Sequence, residues 1–337
     1  MVFKNINFWN VAEIKLDQET NAYRLFRVRE ECEVNMLDQG RNMNHTSIGV
    51  ELRFKMIDEE VEIVLKTKGE AFGNAYIYFG STQGEWNQSS FVIKNQDTVI
   101  KLKRNNIESI KTINELKESI YDSSLVRILF DDKEIQFVDV KGNVEPALEL
   151  LPKRKYLAYG SSITANSITF HPLLSYPSLI AKELKVDLLN KGFPGSCRME
   201  KEVVNYLANE EEFNFATIEL GINIIDDMDE LEFYNRASYT IDTISKKHPN
   251  SVIFVLDIFN YFNEICGVSV DKLNNYRCIV KNICKELKRN NIVYISSKEL
   301  LKSRTNLCAD LVHPDIDGHY EIYQNLSKII KKHLKNC

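Results

Sequence analysis

The chain has 337 residues, 44% of them apolar and 27% charged, and a formal net charge of −5. These values fit a globular protein long enough for two domains. With no block of like charge they argue against binding to nucleic acid or to an anionic membrane, and no apolar run approaches the ~18 residues that span a bilayer.

The first ~145 residues alternate in polarity, the period of a half-buried strand. In "IGVELRFKM", Ile48, Val50, Leu52, Phe54 and Met56 face one way, and Glu51, Arg53 and Lys55 the other. Val61, Ile63 and Leu65 repeat the pattern. "NAYIYF", "SSFVIK", "TVIKLK" and "SLVRILF" follow it less cleanly, and "DDK" before "EIQFVDV" reads as a hairpin turn with its return strand. Short strands at this spacing predict an antiparallel sandwich. One segment, "NIESIKTINELKESI", sets Ile107, Ile110, Ile113 and Leu116 at helical spacing and reads as a short helix or an irregular excursion. Trp9, Tyr76, Tyr78 and Trp86 are offered either to the sandwich core or to stacking on a sugar, the core being the commoner use.

Past Pro146 and Pro152 the texture changes to apolar strands alternating with amphipathic helices. The strands are "YLAYG", "VDLLN", "FATIEL", "SVIFVLDIF" and "IVYIS". Between them lie helices at "SYPSLIAKELK", "MEKEVVNYL", "LEFYNRASYTIDTI" and around Leu273–Leu287, and "HYEIYQNLSKIIKKHL" closes the chain. Such repetition predicts a parallel sheet covered on both faces. The boundary is placed between an accessory domain, 1–147, and an α/β domain, 148–337.

Ligands bind at the carboxyl ends of the strands in an open parallel sheet. After the first strand comes Gly160-Ser161-Ser162, after the second "NKGFPGSC", after the third Gly221-Ile222-Asn223, and past the fifth "DLVHPDIDGH". Together these loops offer a hydroxyl, a glycine-rich backbone, a side-chain amide and an Asp/His pair, the groups that acyl transfer needs. Each has a plainer reading: Ser162 as a turn serine, Gly195 as a turn glycine, Asn223 as a helix cap, and "HPDIDGH" as a helix entry.

In this order the four segments resemble the blocks of the SGNH (GDSL-type) hydrolase superfamily. "YGSSIT" is similar to a carbohydrate-esterase-like branch that carries an N-terminal β-sandwich. The resemblance covers roughly 153–337. It implies a flavodoxin-like three-layer α/β/α domain with a five-stranded parallel sheet, preceded by a jelly-roll-like all-β sandwich. It also implies Ser162 as nucleophile and His313 with Asp310 as its base and orienter. Gly195, Asn223 and the Ser162 N–H would form the oxyanion hole. Two departures stand out: Ser161 replaces the usual Asp before the serine, and Ile224 follows Asn223 where Asp is usual.

The remaining candidates are read plainly. His319 is expected to be structural and His171 to line the pocket or the surface. His45, His248 and His333 are read as surface residues, and Cys197 and Cys308 as small wall residues rather than reactive thiols. Arg198 and Glu200 either shape the pocket mouth or start a helix. Asp226 and Asp227 stand alone, so no metal is expected, and no cofactor.

Cys32, Cys197, Cys266, Cys278, Cys284, Cys308 and Cys337 form no CxxC pair. They read as thiols in a reducing cytoplasm, and the N-terminus shows no signal-peptide pattern. The leading expectation is a serine esterase removing a short acyl group, acetyl by resemblance, from a carbohydrate or similar polar alcohol. An acyltransferase, a thioesterase or a lipase would use the same triad, and a catalytically inactive carbohydrate-binding protein is the alternative of another class. No nucleic-acid or membrane partner is expected; homo-oligomerisation is left open.

Overall fold

The computed structural model describes residues 1–104, 107–165 and 169–334. Cys337 and the side chain of Ile107 lie outside the described residues. The chain divides into two compact units. Met1–Glu30 and Asn44–Lys153 form the first; Glu31–Met43 and Arg154–Cys337 form the second.

In the first unit two antiparallel sheets meet face to face. The larger follows the order Val2–Phe3, Ile6–Trp9, Glu51–Met56, Leu125–Phe130, Gly73–Phe79, Thr82–Gln83. The smaller runs Thr98–Lys103, Glu60–Thr67, Ile135–Lys141, Ala22–Phe26, Glu13–Asp17. The inward sides of both supply one core, with Phe8, Leu52, Phe54, Ile77 and Ile128 from the larger sheet and Leu25, Ile63, Leu65, Ile100 and Phe137 from the smaller.

The hairpin expected around "DDK" does not form. Leu125–Phe130 pairs with Glu51–Met56 and Gly73–Phe79, whereas Ile135–Lys141 pairs with Glu60–Thr67 and Ala22–Phe26. The short link crosses from one sheet to the other, and local alternation cannot tell a return strand from a crossing one. The segment Ile107–Leu116 is a helix as expected.

The polar side of Glu51–Met56 is also buried. Glu51 bridges Arg53 at 2.8 Å and Arg127 at 2.6 Å. The two guanidiniums sit over the rings of Trp9 and Tyr121. Burial pushes the Glu51 carboxyl up, but the two cations outweigh it and hold its pKa at about 2. Trp86 departs from the core reading: it is 96% exposed, while Trp9 and Tyr78 are buried.

The second unit is the strand–helix repeat. Its strands are β1 (Lys155–Gly160), β2 (Asp187–Gly192), β3 (Phe215–Glu219), β4 (Val252–Leu256) and β5 (Ile292–Ile295). They pair in parallel in the order β2-β1-β3-β4-β5. The helices are α1 (Ser162–Ala165), α2 (Tyr176–Leu184), α3 (Lys201–Asn209), α4 (Glu230–Lys247), α5 (Phe262–Cys266), α6 (Val270–Glu286) and α7 (Ile316–Leu334). Tyr156, Ala158, Phe215, Phe254 and Leu256 from the sheet join Tyr176 and Ile180 of α2 and Ile322, Leu326 and Ile330 of α7 in one core. None of the described helices is long and apolar enough to cross a membrane.

The segment Glu31–Met43 belongs to this unit although sandwich strands flank it in sequence. Asn35 Nδ2 donates to Glu202 Oε1 at 2.8 Å, and Gln39 Nε2 to the Pro194 carbonyl at 3.4 Å.

Two glycines let β1, β2 and α1 come together. A Cβ on Gly192 would lie 2.6 Å from the backbone N and Cα of Ala165, in α1. Backbone cannot swing aside as a flexible side chain can, so Gly192→Ala overpacks the β2–α1 contact. A loss of about 1–3 kcal/mol is expected, read as a lower urea midpoint at unchanged m-value.

Candidate active site

The candidate groups come from loops at the carboxyl ends of the parallel strands, where an open α/β sheet places its crevice. β1 ends at Gly160 and α1 begins at Ser162, so the chain reverses within Ser161. A Cβ on Gly160 would sit 2.4 Å from Thr164 Oγ1 and 2.6 Å from Glu219 Oε2. Only glycine leaves that space.

Ser162 is 7% exposed. His313 Nε2 lies 2.7 Å from Ser162 Oγ, and His313 Nδ1 lies 2.7 Å from Asp310 Oδ2. An ionised carboxylate only accepts, so the ring proton belongs on Nδ1, and Nε2 accepts from the serine hydroxyl. Asp310 Oδ1 meanwhile accepts the backbone N–H of Val312 at 2.9 Å and of His313 at 3.0 Å. Burial pushes the Asp310 carboxyl up, but these backbone bonds and the imidazole outweigh it and hold its pKa below the ordinary value.

The Asp–His loop is closed on itself. Cys308 N–H donates to the His313 carbonyl at 2.9 Å, Leu311 N–H to the Cys308 carbonyl at 2.9 Å, and Leu307 bridges Pro314. Phe262 N–H, at the start of α5, donates to the Leu311 carbonyl at 2.7 Å. Asp315 then accepts Gly318 N–H at 2.8 Å as α7 begins.

Gly195 and Asn223 occupy adjoining loops. Cys197 N–H donates to Asn223 Oδ1 at 3.1 Å, tying the loop after β2 to the loop after β3. That bond fixes the amide's orientation, leaving Nδ2 as the end that can donate elsewhere. Gly195 is exposed at φ +64, and its missing Cβ would fall 2.1 Å from Gln39 Nε2. Arg198 Nη1 donates to the Asn223 carbonyl at 3.4 Å and pairs with Asp227 at 2.8 Å, so it braces this loop.

The structure also places the other candidates. His319 is fully buried and its Nδ1 accepts Tyr176 N–H at 3.3 Å, so it joins α7 to α2. His171 accepts Leu173 N–H at 3.1 Å and caps a short helical turn. His45, His248 and His333 are half-buried rather than on the surface: they pack against Phe26, Phe213 and Phe254. Burial pushes the Glu200 carboxyl up. Among the described residues no group of three or more His, Cys, Asp or Glu side chains could hold a metal ion.

One residue escaped the sequence reading. Glu219, the last residue of β3, is fully buried. Its Oε2 accepts Ser161 N–H at 2.7 Å and the Thr164 hydroxyl at 3.2 Å. The signal was present: a glutamate ending the apolar strand "FATIE" has no solvent to face.

The profile of the GDSL-like lipase/acylhydrolase family matches residues 153–331. The chain belongs to that family, and it is an SGNH-type hydrolase. No curated protein matches it by sequence. Among solved structures it is similar to the salicylyl-acyltransferase SsfX3 from a tetracycline biosynthetic pathway. There the TM-score is 0.78 and the identity 13%, over 98% of this chain and 95% of that one. It is also similar to a family two carbohydrate esterase from Cellvibrio japonicus, with TM-score 0.64, identity 14% and coverage of 98% and 95%. A third likeness is a family two carbohydrate esterase from Clostridium thermocellum in complex with cellohexaose, with TM-score 0.61, identity 16% and coverage of 98% and 99%. At these identities the likeness is one of fold.

Two predictions follow from the electrostatics. A depressed carboxyl contributes stability that is full above its unfolded pKa and disappears as pH falls through its folded one. Asp310→Asn is therefore less stable than the parent at pH 7, and the urea midpoints of the two converge as pH falls through the depressed Asp310 pKa. The thiols differ in exposure. Burial raises Cys197 well above its ordinary value, while Cys266 and Cys278 are exposed. Iodoacetamide at pH 7.5 is expected to label those two and leave Cys197 unmodified until the protein is unfolded, as peptide mass mapping would read.

Proposed function

We propose that this hydrolase is a serine esterase that removes a short acyl group, acetyl foremost, from a carbohydrate or a similar polar alcohol. The observation that carries the reading is the Asp310–His313–Ser162 relay, with both of its hydrogen bonds at 2.7 Å. Ser162 Oγ attacks the ester carbonyl carbon as His313 Nε2 takes its proton. Asp310 holds the ring in the tautomer that can accept and stabilises the imidazolium that forms.

The negative oxygen of the tetrahedral intermediate falls to the N–H groups of Ser162 and Gly195 and to Asn223 Nδ2. His313 then protonates the departing alkoxide, and the acyl group stays on Ser162. Water, deprotonated by His313, attacks the acyl carbon; the acid leaves and Ser162 regains its proton. The carbohydrate alcohol rests on the likeness to chains described as carbohydrate esterases, one of them in complex with cellohexaose. Glycan binding or a structural role for residues 1–147, and a cytoplasmic setting drawn from the scattered single cysteines, belong to the same reading.

Transfer to a second alcohol is the alternative, supported by the likeness to a chain described as a salicylyl-acyltransferase. It uses the same acyl-serine and differs only in what resolves it.

With p-nitrophenyl acetate, Ser162→Ala is expected to lose at least ~10³-fold in kcat, since a relay missing its nucleophile keeps only binding and oxyanion stabilisation. Asn223→Ala should lose about 10²–10³-fold. Equal rates for parent and Ser162→Ala would remove the serine-esterase reading. Rates that climb with chain length to octanoate would remove the acetyl preference, and acetyl transfer to added xylose outpacing release of acetate would favour the transferase.

A further inference from the structure

We infer that Glu219 is the positioning residue for the nucleophile, clamping the Gly160–Ser162 turn from the neighbouring strand. The inference rests on the serine-hydrolase reading and extends it to a residue that does not touch substrate. The residue before the nucleophile is a serine, and a carboxyl from the neighbouring strand reaches its backbone N–H.

Its contacts define the turn. Glu219 Oε2 accepts the Ser161 N–H at 2.7 Å and the Thr164 hydroxyl at 3.2 Å, on the two sides of Ser162. Thr164 Oγ1 in turn meets the Tyr176 hydroxyl at 2.8 Å, which links the clamp to α2. Gly160 leaves room for the carboxyl, since a Cβ there would stand 2.6 Å from Oε2. From the opposite flank, Asn190 Nδ2 donates to the Thr164 carbonyl at 3.0 Å, and Asn190 Oδ1 accepts Gly192 N–H at 3.0 Å. The α1 turn is therefore held from both neighbours of β1.

The same strand end also carries the proposed oxyanion donor. Glu219 is four residues before Asn223, and the Cys197 thiol, beyond the Gly195 loop, donates to the Glu219 carbonyl at 3.9 Å. One residue thus ties the nucleophile turn to the strand that delivers Asn223. A misplacement of ~1 Å between reacting groups costs about 10²-fold in rate, which is the leverage such a clamp has.

The carboxyl stands apart from ordinary buried ion pairs. Its Oε1 is buried with no hydrogen-bond partner among the described residues. Burial pushes its pKa up, against the hydrogen bonds of Ser161 and Thr164 and the nearby His313. Its partners at Oε2 are neutral donors, so an uncharged acceptor of the same shape can take its place.

The test compares Glu219→Leu, which removes both acceptors, with Glu219→Gln, which keeps one. The readouts are kcat and KM for p-nitrophenyl acetate, together with the rate at which a fluorophosphonate labels Ser162. In labelling, Ser162 Oγ forms the bond to phosphorus, fluoride leaves, and the proton passes to His313. Glu219→Leu is expected to lower kcat and labelling about 10²-fold with KM within threefold, and Glu219→Gln to recover both to within about fivefold of the parent.

Thr164→Val, which removes one donor to the clamp, should slow both readouts in the same sense, and it carries the test if Glu219→Leu does not fold. A fully labelled parent alongside variants as fast as it would overturn the role of Glu219 and leave the serine esterase standing. So would a Glu219→Gln as slow as Glu219→Leu. A parent that is never labelled at Ser162 would overturn the esterase reading, and this inference with it.

Discussion

The Ser162–His313–Asp310 arrangement depends on how closely a strand end and the start of a helix can approach a neighbouring strand. Gly160 and Gly192 lack a Cβ where one would collide with Thr164, Glu219 or the Ala165 backbone. That closeness lets α1 begin within two residues of the end of β1, which brings Ser162 to the rim of the sheet rather than into a longer loop. Once the turn is this tight, hydrogen bonds fill it from both sides: Glu219 from β3 and Asn190 from β2. The His313 loop then needs only to meet a serine that is already held still.

Two buried glutamates show how neighbours decide the state of the same side chain. Glu51 lies among two guanidiniums and stays far below its ordinary pKa. Glu219 has hydroxyl and amide donors instead, and burial drives it upward. Full cationic compensation makes Glu51 a cross-link between strands, costly to break from either partner. Neutral donors make Glu219 a hydrogen-bond acceptor first and a charge second.

Much of this is legible in the sequence. The five parallel strands and their helices follow from the alternation of apolar runs with amphipathic stretches, because each parallel strand is buried on both faces and each helix on one. Gly160, Ser162, Gly195, Asn223, Asp310 and His313 stood out because each follows a predicted strand or precedes the last helix. Strand partners in the sandwich were not legible. Periodicity says which side of Leu125–Phe130 is buried, but not which sheet its successor joins. Glu219 was hidden by its apolar surroundings, and the half-buried histidines by partners remote in sequence. Nothing local marked Glu31–Met43 either, since the contacts of Asn35 and Gln39 fall more than 150 positions downstream.

That last segment bears on how the gene could have been assembled. The polypeptide passes from the first compact unit to the second at Glu30/Glu31, returns at Met43/Asn44, and passes over for good at Lys153/Arg154. No single cut in the coding sequence separates the two units. A recombination event that carried away the sandwich alone would also take thirteen residues of the hydrolase, Gln39 beside the Gly195 loop among them. Exchanging one unit for another by recombination would therefore need three junctions in the coding sequence rather than one.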